Sequence, residues 1–214
     1  MDLSEKVKRS IMGTNWDFGN QVLYDLCEKN PDHQETRKIV AKIWLIGRAY
    51  AASIERQKDR SKSTEEYYQY VAKKLIDDDF DSQISSLKNI ELNVQTLPEI
   101  LNAHSALNKA LAVGVETRPS FCSKYLHFHF PKLFFLYDSR AHRALRAIKK
   151  SDKAVFNRPD LNNLRNELKE TVEKWYPDFF LDCYLLKEHI NKISSLNNEF
   201  TCRHLDNLLL YNTF

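Results

Sequence analysis

Residues 118–150 read RPSFCSKYLHFHFPKLFFLYDSRAHRALRAIKK, and the fold turns on how this stretch is parsed. Lys124 falls in an apolar helical pattern, about one turn from both Phe121 and Phe128. Ser120 is the expected cap of that helix, and Pro131 stops it. Phe134-Phe135-Leu136-Tyr137 then reads as an extended crossing of the core. Asp138 follows at the N-cap position of SRAHRALRAIKK, where a carboxylate meets free backbone N–H groups. In this second helix Ala141, Leu145 and Ile148 form the expected buried stripe. Arg140, Arg143 and Lys150 are read on one flank, and His142, Arg146 and Lys149 on the other.

The stretch carries eight lysines and arginines against one acid, Asp138, while the whole chain has a formal net charge of only +3. Such asymmetry is the footprint expected for a polyanion, and a solvated helix face explains it equally cheaply. Under the first reading Arg118, Arg140, Arg143, Arg146 and Lys149 contact nucleic-acid phosphates, DNA rather than RNA. Burial of Lys124 among aromatics would disfavour its ammonium form and expose a nucleophilic amine. The bland reading has Lys124 snorkelling to the surface and Asp138 acting only as a cap.

Outward from this stretch the chain reads as helix throughout. Only four glycines and six prolines occur in 214 residues, too few for the turns of a sandwich or barrel or for the loops of a nucleotide fold. Residues 33–58 carry a broad apolar stripe (Ile39, Ile43, Trp44, Ile46, Tyr50) interrupted by Gly47, a position that implies a tightly packed neighbour. Pro31 or Asp32 is expected to open that helix. Ser63 or Thr64 caps the next one, with Tyr67, Tyr68, Val71 and Leu75 turned inward. Thr96 with Glu99 reads as a capping box, and Asp17 as a cap for a helix starting near Gly19. Asp77-Asp78-Asp79-Phe80-Asp81 lacks the alternation and turn glycine of a calcium loop and is expected to be a solvated acidic corner.

His127 and His129, two apart on a helix, point in opposed directions and do not make a zinc pair. Cys27, Cys122, Cys183 and Cys202 are far apart, as reduced thiols of a cytoplasmic protein would be. No apolar run approaches the roughly 20 residues of a membrane span, and no phosphate-cradling glycine loop implies an organic cofactor. The expectation is a single all-α domain over residues 1–214 with two lobes, residues 31–150 forming the central one and 1–30 with 151–214 the other.

A lysine on a helix, a short apolar crossing and an aspartate capping the next helix resemble the helix-hairpin-helix DNA glycosylase superfamily, over Leu107 to Ile148. The resemblance implies an all-α, two-lobed helical bundle that cleaves N-glycosidic bonds in DNA. Lys124 would be the nucleophile that forms a Schiff base. Asp138 would stabilise the oxocarbenium ion or deprotonate the nucleophile. Trp44, Arg48, Tyr50 and Phe128 would line the pocket for a flipped base. The family's glycine-x-glycine turn corresponds here to Val113-Gly114-Val115-Glu116-Thr117-Arg118-Pro119, with one glycine and an acid, and the 14 residues from Lys124 to Asp138 are fewer than usual. The alternative is a non-enzymatic helical module that binds nucleic acid or protein, including a catalytically inactive relative.

Overall fold

Helices are the only regular elements among residues 3–57, 63–112, 117–169, 175–193 and 199–211, the residues that the computed structural model describes. There are eleven α-helices and two 3-10 turns among them, and no strand. The protein is therefore all-α. None of these helices is long and apolar enough to cross a membrane. Of residues 113–119, set against a glycine turn in the sequence reading, 113–116 lie outside the described residues. The chain divides into two compact units, Trp16–Phe130 and Met1–Asn15 with Pro131–Phe214. The first helix, α1 (Leu3–Ile11), belongs to the latter.

The unit of residues 16–130 holds α2 (Asp17–Lys29), α3 (Thr36–Ala49), α4 (Thr64–Asp77), α5 (Phe80–Ile84), α6 (Leu97–Leu111) and α7 (Pro119–His129). Its centre is α7, which packs against α2, α3 and α6 and is buried at every position from Phe121 to Phe128. Pro119 occupies the first turn of α7, and the N-cap position is Arg118. Ser120 therefore is not the cap, and its hydroxyl serves Lys124 instead.

Three other termini also differ from the sequence reading. Helix α3 begins at Thr36, because the backbone N–H of His33 donates to Asp81 Oδ2 (2.8 Å) instead of entering a helix. Helix α2 starts at Asp17 itself, with no side-chain cap. Thr96 sits at the N-cap of α6 without capping it, since its Oγ1 donates to Glu91 O (2.6 Å). Ser63 and Glu66 do form a reciprocal capping box on α4, with Tyr67, Tyr68, Val71 and Leu75 buried behind it.

Gly47 has the tight neighbour its position implied. A Cβ there would lie 3.2 Å from Ser53 Cα, where the chain doubles back after α3 through Ala51 at φ 51°. Asp77, Asp78 and Asp79 form an exposed corner. Asp81 leaves that corner: it accepts from His33 Nδ1 (2.6 Å), and His33 Nε2 lies 2.7 Å from the Tyr125 hydroxyl. A neutral His33 satisfies both, with Nδ1–H donating and Nε2 accepting. Lys42, unmarked in the sequence, is completely buried and donates to Asn30 O and Asp32 O (both 2.9 Å), tying down the turn after α2.

The other unit adds α8 (Ser139–Ser151), α9 (Pro159–Lys169), α10 (Tyr176–Ile193) and α11 (Cys202–Tyr211) to α1. Phe134, Phe135 and Leu136 run through it without helical structure and are buried, as the sequence implied. Tyr176 of α10 donates from its hydroxyl to Phe135 O (3.2 Å). Leu205, Leu208 and Leu209 of α11 are buried on a helix that packs against α1 and α8. All four cysteines are free and buried.

Burial, with the Lys42 charge second, lowers His33 to a pKa of about 4, against the opposing pull of Asp81. The ring of His129, which contacts His33 and Tyr125, is lowered in the same way. An unfolded chain binds protons at these histidines near pH 6.5, and the folded chain does not until much lower pH. Stability is thus expected to fall as pH drops from about 6.5 towards 4, by up to about 3 kcal/mol for His33. Chemical denaturation midpoints across that window measure it, and a flat profile contradicts the buried neutral histidine.

Candidate nucleic-acid interface

Asp138 positions the basic helix α8. Its Oδ1 accepts from the backbone N–H groups of Arg140 and Ala141, both at 2.8 Å, which is the N-cap geometry read from the sequence. Such a cap stabilises a helix by about 1 kcal/mol. No hydrogen bond to Oδ2 occurs among the described residues. Ala141, Leu145 and Ile148 are the buried residues of α8, so its roll about its own axis is the one expected.

The outward face of α8 borders a groove of about 520 Å³ lined by Tyr137, Ser139, His142, Arg143, Arg146 and Lys150. Arg143, Arg146 and Lys150 succeed one another at helical spacings of three and four, so they repel one another along one face. No ion pair engages any of the three among the described residues. No acid occupies the first turn of α8 either. This arrangement works against stability by some tenths of a kcal/mol per pair and becomes favourable once an anion lies in the groove.

The sequence reading placed Arg143 and Arg146 on opposite flanks; they share this groove. Arg140 is exposed but is not part of the lining. Lys149, expected on a phosphate, is turned to Asp182, whose two oxygens lie 2.9 and 2.7 Å from its Nζ. His142, Tyr137, Ser139, Ala147 and Lys150 complete the lining and were not among the expected contacts. The signal for Ser139 and Lys150 was present, since 139, 143, 146 and 150 follow a helical period.

Arg118, expected on a phosphate, is buried in the fold. It is 6% exposed, and its guanidinium donates to Ile54 O, to Leu111 O (3.1 Å) and to the Tyr67 hydroxyl (2.8 Å). Its backbone N–H donates to Asn108 Oδ1 at 2.6 Å. A side chain committed in this way joins α4, α6 and the 3-10 turn at Ile54–Gln57, with each of its three nitrogens donating inside the protein.

Lys124 is 1% exposed, and its Nζ donates to Ser120 Oγ (2.9 Å) and Ser120 O (3.2 Å). It belongs to the unit of residues 16–130, and Asp138 belongs to the other unit. Of the expected pocket residues, Tyr50 and Phe128 meet, their ring centroids 5.4 Å apart, and Tyr24 also contacts Phe128 at 4.8 Å. The Tyr50 hydroxyl donates to Asn20 Oδ1 at 2.7 Å. Arg48 pairs with Glu55 (2.8 Å), which also accepts from the Tyr68 hydroxyl (2.5 Å). Trp44 lies on the surface of α3, 47% exposed.

His127 pairs with the Tyr24 hydroxyl at 2.7 Å, and His129 turns towards His33 and Tyr125. No group of three or more metal-ligating side chains occurs among the described residues. Comparison of the chain with protein-family models, with curated proteins and with solved structures finds no match.

Arg118→Ala should lower the unfolding free energy by about 2–4 kcal/mol, because two buried carbonyls and a hydroxyl lose their donor. Arg146→Ala should change it by no more than about 0.5 kcal/mol. Urea denaturation compares the two, and equal effects would contradict the separation of a fold-holding arginine from a groove arginine.

Proposed function

We propose that this protein acts on nucleic acid, DNA rather than RNA, and grips the phosphate backbone along the α8 groove. The observation that carries this reading is the row Arg143, Arg146 and Lys150, which lines one groove and has no ion-pair partner among the described residues. Cations held close together without acids are what counterion release on a polyanion requires. Phosphate contacts of this kind position a chain on a duplex and carry no sequence information.

The chemistry is assigned by the resemblance: N-glycosidic bond cleavage of the glycosylase/lyase type, with Lys124 as nucleophile and Asp138 as the essential carboxylate. Two features support it. Asp138 spends only one of its oxygens on the cap of α8, leaving the other for a developing positive charge. Lys124 stands in an apolar helix beside Phe121 and Phe128, with a hydroxyl, that of Ser120, in hydrogen-bond reach of its amine. A second reading, a binding module without catalysis, is favoured by the enclosure of that amine, 1% exposed and turned to Ser120.

Borohydride trapping on duplexes carrying damaged bases, abasic sites or uracil separates the two. The enzyme reading expects a covalent complex that disappears in Lys124→Gln. Salt-sensitive binding with no complex on any substrate withdraws the role of Lys124 and leaves the module. Absence of binding to every duplex removes the nucleic-acid reading altogether.

A further inference from the structure

His142 lies on the wall of the α8 groove, beside Arg143 and Arg146. Its ring is half-buried, with centroids of Tyr137 at 5.8 Å and of Phe179 at 6.1 Å. No hydrogen bond or ion pair reaches the imidazole among the described residues. The two carboxylates that act on it come from α10, Asp178 and Asp182, and both are already committed. Asp178 accepts from Arg165 of α9 (3.2 Å), while Asp182 accepts from Arg165 and from Lys149. On α11, the other helix packed against α8, Asp206 is paired with Arg203 at 2.5 Å. Asp178, Asp182 and Asp206 are thus paired with cations, Asp138 is held by backbone N–H groups at the N-cap of α8, and the groove cations have no ion pair among the described residues.

We propose that phosphodiester binding in the α8 groove is coupled to uptake of a proton by His142, so that the protein holds nucleic acid more tightly as pH falls. The proposal rests on the reading of α8 as the nucleic-acid interface. In the free protein, burial and then the Arg146 charge hold His142 below its ordinary pKa, with Asp182 and Asp178 pulling the other way. A phosphate against Arg146 cancels that repulsion and places an anion near the ring, so the bound state favours the imidazolium. By linkage, whatever binding does to the proton affinity, protonation does to the binding affinity. Each pKa unit gained on binding strengthens the complex by up to about tenfold at low pH. His142 is in this account a positioning group for the phosphate, with its charge switched on by the ligand itself.

The test uses the full chain and a tetramethylrhodamine-labelled DNA duplex, followed by fluorescence anisotropy at constant ionic strength between about pH 8 and about pH 6. The wild type is expected to tighten by about 3–10-fold across this range, and His142→Gln to lose that slope. Calorimetry of the unmodified protein in buffers of different ionisation enthalpy reads the proton directly. Net uptake of a fraction of a proton per duplex bound is expected, whatever the folding of the variant. Binding without proton uptake, or a pH slope that survives His142→Gln, overturns the coupling and leaves the groove as a nucleic-acid interface. No binding at any pH removes the coupling and the interface together.

Discussion

A helix buried along most of its length has little water for its polar side chains, so most of them find partners inside the protein; in α7 the exception is His129 Nε2, which has no hydrogen-bond partner among the described residues. Helix α7 imposes this constraint on the unit of residues 16–130. Lys124 turns back on Ser120, Tyr125 reaches His33 on the turn before α3, and His127 reaches Tyr24 on α2. Ser123 donates to Ser120 O at 3.0 Å, so even the smallest polar group on the helix is answered locally. Two of these partners come from other elements. Satisfying α7 therefore also fixes where α2 and the α2–α3 turn must lie. The same economy brings Asp81 out of its acidic corner, because His33 needs an acceptor on its remaining nitrogen.

Helix α8 obeys the opposite rule. Only Ala141, Leu145 and Ile148 are buried, and the Asp138 cap sets its start. Two kinds of cation leave this helix. Lys149 is drawn to Asp182, where it contributes to an ion-pair cluster with Arg165. Arg143, Arg146 and Lys150 face the groove with no such partner among the described residues. Function is read from that difference, since basic residues with acids beside them are explained by folding alone.

What the sequence disclosed was what short range decides. The cap at Asp138 acts on N–H groups two and three residues on, and the Ser63–Glu66 box closes within one turn. The buried stripe of α8 and the need for glycine at 47 also follow from local periodicity and backbone fit. Long-range partners were invisible. Arg118 looked like one more cation of a basic run, but Ile54 O and Tyr67 wait for it from 64 and 51 residues away. Lys42 carried no mark in the sequence, and the carbonyls of Asn30 and Asp32 take it inside. His33 had no marker at all, because its partner Asp81 is 48 residues distant. A charged residue in a sequence does not announce whether water, a phosphate or a buried carbonyl will receive it.

The most direct test of the α8 interface is the salt dependence of DNA binding, measured for the wild type and for the double variant Arg143→Gln with Arg146→Gln. If the groove cations neutralise phosphates, the slope of log K against log salt should become shallower by about 2 in the variant, and affinity at low salt should fall. An unchanged slope, with the fold intact by circular dichroism, would contradict the assignment of the α8 face to nucleic acid.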